Sequence, residues 1–474
     1  KQMSKLEIKI LSSLAKVFED KIYGEEEACV CVAKNQPVNT QLALLGEGEY
    51  TVEVKSPFEH VNLYRVGYVP VNLPTYQDCD DGKYERLEKG LFPDPLFPLD
   101  GGKITLDSGK YASLWISVPE AKIAGEHKIE VSFCKDGAIE EKREICVCVS
   151  NVSLEDQKLI FTQWFHNDCI ADVHGVGVFS DAHWALIEKY IRIACEHGMN
   201  MLLTPVLTPP LDTEVGGERP TVQLADIKKT ENGYEFNLDK LEKYVNIATE
   251  CGIKYFEINH FFTQWGAKHA PKVMAEVDGE YKRIFGWETD GHGEEYLGFL
   301  DKLLPKLTEF LKSKNAYDNC FFHISDEPAL EHLEHYTKAR EQVADLLEGY
   351  VIMDALSDFD LYEKGAVDNP VPSTNHIDHF LEAKVPHLWT YYCMAQNINV
   401  SNRFHSMPAW RNRSIGMQLF KFNIEGFLQW GYNFYYSRYS VNFVNPYIDS
   451  SSEYSFPAGD PYSVYPAHDL TALE

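Results

Sequence analysis

Between residues 6 and 150 apolar and polar positions alternate in short runs broken by turn residues, at 6–14, 29–33, 51–54, 60–71, 112–118, 128–133 and 143–150. A period of two sends alternate side chains to opposite faces of a strand, so evenly spaced runs of this kind predict an antiparallel β-sandwich. The longest interval without that rhythm, 74–102, contains Pro93-Asp94-Pro95-Leu96-Phe97-Pro98 and reads as an irregular connection lying across the rest of the chain.

After 153–156 the rhythm changes. Apolar runs of strand length at 159–165, 199–205, 253–259, 321–326, 350–355, 367–371, 387–391 and 427–431 alternate with helical periodicity at 181–197, 238–251, 294–314, 329–347, 359–364, 373–383 and 409–423. Eight such strands predict a (β/α)8 barrel of the TIM type, with a doubly wound sheet as runner-up. The fold class is therefore multidomain, β plus α/β: a sandwich over 1–152 followed by a barrel over 153–474.

In a barrel the loops leaving the strand C-termini converge on one rim, and that rim carries the chemistry. The fourth predicted strand ends in Asp326-Glu327-Pro328. Charge on an apolar strand is costly unless it has work to do. The bland alternative is that one acid caps the helix that follows. Other strand ends carry Trp164, His166 and Asp168, then His260 and Trp265, then Asp354, then Trp389 and Tyr391, and finally Trp430, Tyr432 and Asn433. Aromatic faces with fixed carboxylates, amides and imidazoles suit a pyranose, whose C–H faces stack and whose hydroxyls need paired donors and acceptors. All eleven are candidate substrate-binding residues, and Asp326 and Glu327 the candidate catalytic pair. His166 and Asp168 also read as a structural salt-bridged pair, and alternation turns Trp389 and Tyr391 the same way.

Composition narrows the classes of function. With 474 residues, 44% hydrophobic and 24% charged, the chain is an ordinary globular one, and a formal charge of -28 argues against nucleic acid or an anionic membrane surface as partner. Its 11 cysteines sit mostly in apolar runs such as Cys29, Cys31, Cys146 and Cys148, without the spacing of a zinc site, so no metal is expected. Mostly reduced thiols, no 18-residue apolar stretch and no cleavable signal predict a cytoplasmic setting. Lys1 in place of an initiator Met leaves room for a preceding leader.

Two acids adjacent in sequence cannot easily flank an anomeric carbon as a separate acid and nucleophile. They suit substrate-assisted cleavage, in which a 2-acetamido oxygen attacks, one carboxylate orients the acetamide and its neighbour is general acid and base.

The segment His323-Ile324-Ser325-Asp326-Glu327-Pro328 resembles the Asp-Glu-Pro motif of glycoside hydrolase family 123. Similar stretches are Val178 with Phe179-Ser180-Asp181-Ala182-His183-Trp184, Arg413-Ser414-Ile415-Gly416 through Gln429-Trp430-Gly431-Tyr432-Asn433, and Leu114-Trp115-Ile116-Ser117-Val118-Pro119 with Ala124-Gly125-Glu126-His127. The resemblance implies a retaining exo-β-N-acetylgalactosaminidase in which Asp326 orients the acetamide and Glu327 protonates the departing oxygen. It implies a glycan substrate with a terminal amino sugar, and neither metal nor organic cofactor. The chain departs from that pattern in the more polar segment 164–168, and a closing helix is expected after Glu474. Two alternatives stay open: a glycosidase of a non-acetamido sugar with Asp168 or Asp354 as nucleophile, and a carbohydrate-binding barrel without activity. Sequence sets no oligomeric state.

Overall fold

The computed structural model describes residues 5–314, 317–467 and 472–473, and the architecture below is that of these described residues. The N-terminal region holds two five-stranded sheets. In one, Glu7–Ser12, Val38–Leu45, Tyr111–Val118, Asn62–Val71 and Gly90–Pro98 lie side by side, all antiparallel. In the other, Val30–Lys34, Ala138–Ser153, Gly125–Lys135, Gly48–Lys55 and Lys103–Leu106 do so, with the first pair parallel. Leu42, Leu44, Leu114 and Ile116 of the first sheet share one core with Tyr50, Val131, Phe133 and Val147 of the second. The parallel pairing sets Val30 opposite Val147, and the preceding residues Cys29 and Cys146 form a disulfide.

Two features depart from the sequence reading. The interior strand Val38–Leu45 escaped it because both faces are buried, so alternation is lost. There Gln41 donates to the carbonyls of Ser12 and Ala15, which satisfies its amide inside the core. The proline-rich stretch is not irregular throughout, since Gly90–Pro98 forms an edge strand, where a missing N–H costs no ladder bond on the open side. As expected, the 74–102 interval does lie across the C-terminal region. Buried Asp81 pairs with Arg411 at 2.6 Å, His405 meets Asp94 at 3.1 Å, and Ser406 donates to the Pro74 carbonyl at 2.6 Å.

The C-terminal region is built on eight parallel strands: Ile160–Gln163, Met201–Thr204, Tyr255–Ile258, Cys320–Phe322, Val351–Ala355, Asn369–Val371, Trp389–Tyr391 and Gly426–Gln429. Neighbours in sequence are neighbours in space, and the eighth pairs with the first. Beyond the sixth strand, the Tyr391 amide donates to the Pro372 carbonyl and the Thr374 amide to the Tyr391 carbonyl, so a short contact nearly closes the ring. Met201, Leu203, Phe321, Met353, Trp389 and Leu428 fill its interior. Leu202, Phe256, Ile258, Phe322 and Phe427 point outward against helix residues such as Ile187, Tyr244 and Leu303. Gly426 is required here: a Cβ would stand 1.9 Å from the Trp389 ring.

Every strand-to-strand crossover carries helix, but unevenly. Asn167–His174 and Asp181–Glu196, Asp239–Cys251, Glu294–Ser313, Leu333–Ala344 and Ala409–Lys421 are substantial, whereas Phe359–Glu363 and Asp378–Glu382 have 5 residues each. The helix expected over 373–383 is reduced to its second half because residues just after the sixth strand complete the barrel contact instead. Two hairpins in the loops after the second and third strands, Asp226–Thr230 with Gly233–Asn237 and Val273–Val277 with Glu280–Phe285, join into an accessory four-stranded sheet. No helix of the described residues is long and apolar enough to cross a membrane.

Candidate active site

The chain leaves the fourth barrel strand through His323-Ile324-Ser325-Asp326-Glu327, pinned from both sides. The Ile324 amide donates to Asp354 Oδ1 at 3.1 Å, Ser325 Oγ donates to the Thr263 carbonyl at 2.8 Å, and the Trp265 amide donates to the Asp326 carbonyl at 3.2 Å. The Glu327 amide donates to the Ala355 carbonyl at 3.0 Å. At Glu327 the backbone turns left-handed, with φ 44°. A non-glycine residue held there costs on the order of 1–3 kcal/mol, so the surrounding bonds must over-determine it. The turn brings both acids to one cavity. Helical structure begins only at Leu330, so neither acid caps it.

That cavity, about 310 Å³, opens at the C-terminal end of the barrel and is lined by both carboxylates. Asp326 is 5% exposed. Its Oδ2 accepts from Gln264 Nε2 at 2.6 Å, while Oδ1 is buried without a hydrogen-bond partner. Glu327 faces the open volume, and its Oε1 accepts from the Tyr391 hydroxyl at 3.1 Å. Burial first, and the charge of Glu327 second, push the Asp326 carboxyl well above the usual carboxylate range, against the pull of Gln264 and His323. Glu327 is exposed at the cavity mouth, but its carboxyl sits among the cavity walls, whose desolvation raises it, and the Tyr391 bond draws it back. Two neighbouring carboxyls so placed retain one shared proton to higher pH than either would alone.

Indoles of Trp164, Trp265 and Trp430 form much of the wall. Trp430 is fixed by Nε1 donating to Asp460 Oδ2 at 3.0 Å, and burial lifts that acid to about 7. Trp265 meets the Tyr439 ring edge-on at 5.8 Å. Asp212, Arg438 and Tyr439 complete the lining.

Of the residues proposed from sequence, Trp164, His166, Trp265, Tyr391 and Trp430 line this cavity together with the two acids. The others lie elsewhere. Asp168 is buried and gripped by Arg219, whose Nε and Nη2 donate to its two oxygens at 2.8 and 2.9 Å. Burial would raise this carboxyl, but the guanidinium outweighs it and holds it below its ordinary value. The same Arg219 meets His166 Nδ1 at 3.1 Å, and His166 Nε2 meets the Trp430 carbonyl at 3.0 Å. Burial and that cation lower His166 to about 3, so it is neutral with its proton directed at the carbonyl. Asn433 exchanges two bonds of 2.9 Å with the His166 backbone. Tyr432 stacks on Phe165 and donates to the Tyr190 carbonyl, on the outside of the barrel. Trp389 fills the barrel interior against Phe321 at 5.6 Å.

His260 and Asp354 belong to a buried cluster behind the acids. His323, fully buried, sits between Glu257 Oε1 at 2.6 Å and Asp354 Oδ1 at 3.1 Å. Burial alone would lower this imidazole; the two carboxylates reverse the sign and raise it to about 10. Glu257 also accepts from Trp164 Nε1 at 2.7 Å and from Thr162 Oγ1 at 2.8 Å, which ties a cavity wall to the buried charge. Asp354 further accepts from the Tyr336 hydroxyl. His260 stacks on His323 at 4.3 Å, and burial and that neighbour's charge keep it well below its ordinary pKa. His260, His323 and Asp354 bring donor atoms within 4.8 Å of one another. Both His323 nitrogens nevertheless face carboxylate oxygens, an arrangement that a proton satisfies.

Sequence reasoning passed over Glu257, although a lone acid inside the run Tyr255-Phe256-Glu257-Ile258 is the same signal that singled out Asp326. Gln264 immediately precedes Trp265, which the sequence did single out. Asp212, Arg219, Arg438 and Tyr439 come from long loops where no pattern marks one polar residue over another.

The family described as glycoside hydrolase 123, catalytic domain, matches residues 164–474. No curated protein matches the chain by sequence. Among solved structures, a family 123 glycoside hydrolase from Clostridium perfringens, described for its hydrolysis of glycolipid glycans, superposes with a TM-score of 0.75 at 14% identity, covering 99% of this chain and 85% of that one. A family 39 glycoside hydrolase from Bacteroides cellulosilyticus WH2 is a far looser likeness, with a TM-score of 0.34 at 10% identity over 88% of this chain and 78% of that one. With roughly two-thirds of its length matched by the family's catalytic domain, and that part carrying the acid pair and its cavity, the chain belongs to glycoside hydrolase family 123 and is a glycoside hydrolase.

Proposed function

We propose that this enzyme is a retaining exo-glycosidase that removes a terminal β-linked N-acetylhexosamine, GalNAc foremost, by substrate-assisted catalysis through an oxazolinium intermediate. The observation that carries the reading is the adjacent pair Asp326 and Glu327 lining one cavity, with Asp326 buried and Glu327 open to the cavity. The scheme needs one proton on such a pair. Glu327 must be protonated to assist the leaving oxygen, and Asp326 must be ionised to accept the acetamide N–H and steer its carbonyl oxygen to the anomeric carbon. Asp326 lines the cavity and its Oδ1 has no hydrogen-bond partner, which supports its carboxylate as the acceptor for that N–H. As the acetamide docks, the shared proton passes to Glu327, and after cleavage Glu327 takes a proton from the incoming water.

The rival with a separate carboxylate nucleophile loses both acids first considered for it. Asp168 is held by Arg219, and Asp354 is enclosed by His323, Tyr336 and the Ile324 amide. We read the barrel as a (β/α)8 barrel, on the support of a helix in each crossover between successive strands. The Clostridium relative acts on glycolipid glycans, so a lipid-linked glycan is a reasonable natural form of the substrate here.

Side-by-side hydrolysis of aryl β-GalNAc, β-GlcNAc and β-galactoside tests the reading. Turnover of the acetamido sugars, with inhibition by a thiazoline mimic of the cyclised intermediate, is expected. Faster cleavage of the galactoside with no thiazoline inhibition would overturn it.

A further inference from the structure

We infer that Gln264 is the positioning residue of the acid pair, its side-chain amide holding Asp326 in the orientation and charge state that receive the acetamide N–H. This rests on the reading that Asp326 steers the acetamide and Glu327 protonates the leaving oxygen. Gln264 lies in the loop after the third barrel strand, is 8% exposed, and lines the cavity with both acids. Three bonds lace that loop to the exit of the fourth strand. The Phe262 amide donates to the Ile324 carbonyl at 3.1 Å, Ser325 Oγ to the Thr263 carbonyl at 2.8 Å, and the Trp265 amide to the Asp326 carbonyl at 3.2 Å. Trp265 takes a left-handed backbone, with φ 57°, at the end of the lacing. The side chains of Gln264 and Asp326 are thereby brought together, and Nε2 of the amide donates to Oδ2 of the acid at 2.6 Å.

The direction of that bond sets the state of the acid. An ionised carboxyl offers acceptors only, so the amide turns its nitrogen to Asp326 and its oxygen away. Gln264 Oε1 is left buried and without a hydrogen-bond partner among the described residues. Buried acceptors are rarely left so. The orientation is kept because the donor meets a charge, which makes the stronger kind of hydrogen bond. With Oδ2 committed to Gln264, Oδ1 is the oxygen of Asp326 that remains without a partner.

The acid pair needs this help. Asp326 is buried and Glu327 is open to the cavity, so burial by itself leaves the shared proton on Asp326, the acid that must be without it. Burial first and Glu327 second favour the protonated form of Asp326, Gln264 and then His323 oppose them, and Asp354 adds to the first two. Tyr391 and Cys393, from the seventh strand and the loop after it, also feel this charge and are kept neutral by burial. Among the described residues Gln264 is the one hydrogen-bond donor to the Asp326 carboxylate. It therefore turns the pair toward the arrangement in which Asp326 is ionised and Glu327 holds the proton.

The test is a double-mutant cycle between Gln264→Met and Asp326→Asn in the full chain, read as kcat/KM across pH on the aryl β-glycoside that the wild type cleaves best. Methionine keeps the length of glutamine without its donor, Gln264→Leu is a second apolar form, and urea unfolding checks that each variant is folded. A hydrogen bond to a charged group corresponds to about 10- to 100-fold in rate. With Asp326 in place, Gln264→Met should lose that factor. The acid limb of its profile should move to higher pH, because Asp326 then gives up its proton less readily, and a merely structural role would leave that limb where it is. With Asp326→Asn in place, the same substitution should change kcat/KM by less than about threefold. A loss of equal size in both backgrounds, an unmoved acid limb, or a Gln264→Met enzyme as active as the wild type overturns the assignment. So does an Asp326→Asn enzyme of full activity, which would leave Gln264 no acid to position. If the wild type cleaves galactosides and no acetamido sugar, the acetamido reading has failed separately, and the cycle on the galactoside decides in the same way whether Gln264 acts through Asp326.

Discussion

Tyr391 reaches across the barrel mouth from the seventh strand to hold Glu327, which follows the fourth, its hydroxyl donating to Oε1 at 3.1 Å. The bond favours the ionised carboxylate and opposes the upward push of burial. Tyr391→Phe should therefore raise the Glu327 pKa, moving the basic limb of the kcat/KM profile to higher pH. Loss of a hydrogen bond to a charged group costs about 1.5–3 kcal/mol, so a fall in kcat of about tenfold or more accompanies it. An unmoved basic limb would separate Tyr391 from the acid.

Glu327→Gln removes the proton donor while leaving a side chain of the same shape. General acid assistance is worth about 10²- to 10⁴-fold where the leaving oxygen is basic and far less where it is not. A natural disaccharide should lose the full factor, and a dinitrophenyl glycoside should lose little in the cleavage step, with burst kinetics if the later step becomes limiting. Equal losses on both substrates would remove Glu327 from that role.

Asp326→Asn separates activity from stability. The acetamide loses its ionised partner, and turnover of acetamido substrates should fall by about 10²- to 10³-fold, as when one preorganised polar contact is deleted from an active site. Stability should move the other way. A carboxyl whose folded pKa is raised is stabilising only while protonated, below its unfolded value near 4, and that contribution is lost as pH rises through the folded value. At pH 8 the wild type therefore carries the strain of ionising a crowded acid and the asparagine does not. The variant should be more stable there by about 1 kcal/mol in urea unfolding, and the gain should shrink toward pH 4.

Period-two and helical patterning located all eight barrel strands because each is an apolar run bounded by turns. It missed Val38–Leu45, where Thr40 and Gln41 are buried with their polar atoms satisfied, so the alternation that marks a half-exposed strand is absent. At the site, residues on the strand-four exit were legible because acids ending an apolar run stand out. Which aromatics face the cavity was not legible. Trp389 and Trp430 look alike in sequence, but Trp389 lies lower in the barrel, where Gly426 makes room for its ring, while Trp430 follows the eighth strand at the rim. Long-loop residues such as Asp212 and Arg219 reach the site through tertiary contacts that no local pattern encodes.

His323 should be an imidazolium throughout the physiological range. Its pKa, raised to about 10 by Asp354 and Glu257, implies stability fully present below the unfolded value near 6.5 and lost as pH rises through 10. Between those limits this one group tilts stability downward by up to about 1.4 kcal/mol per pH unit. Nitrogen chemical shifts of the two stacked rings read the prediction directly. His323 should keep both ring protons at pH 8, and His260, lowered by burial and by its charged neighbour, should titrate below the range of a free imidazole. A His323 that titrates near 6.5 would contradict it.

Arg219 and Asp168 form a bidentate pair, 4% and 2% exposed at their side chains, against the cavity wall rather than within it. Removing either partner strands the other charge out of water, a loss of about 3–5 kcal/mol, so Arg219→Met and Asp168→Asn should each lower the urea midpoint sharply. Replacing both removes the stranded charge and should recover much of that loss, because an apolar pair of similar volume avoids the desolvation that the ion pair must overcome. Activity distinguishes this clamp from a substrate contact. The Arg219→Met, Asp168→Leu double variant should show KM near that of wild type once folded, with any deficit in kcat tracing to His166, which loses its Arg219 contact. A large rise in KM with restored stability would instead make Asp168 a ligand of the sugar.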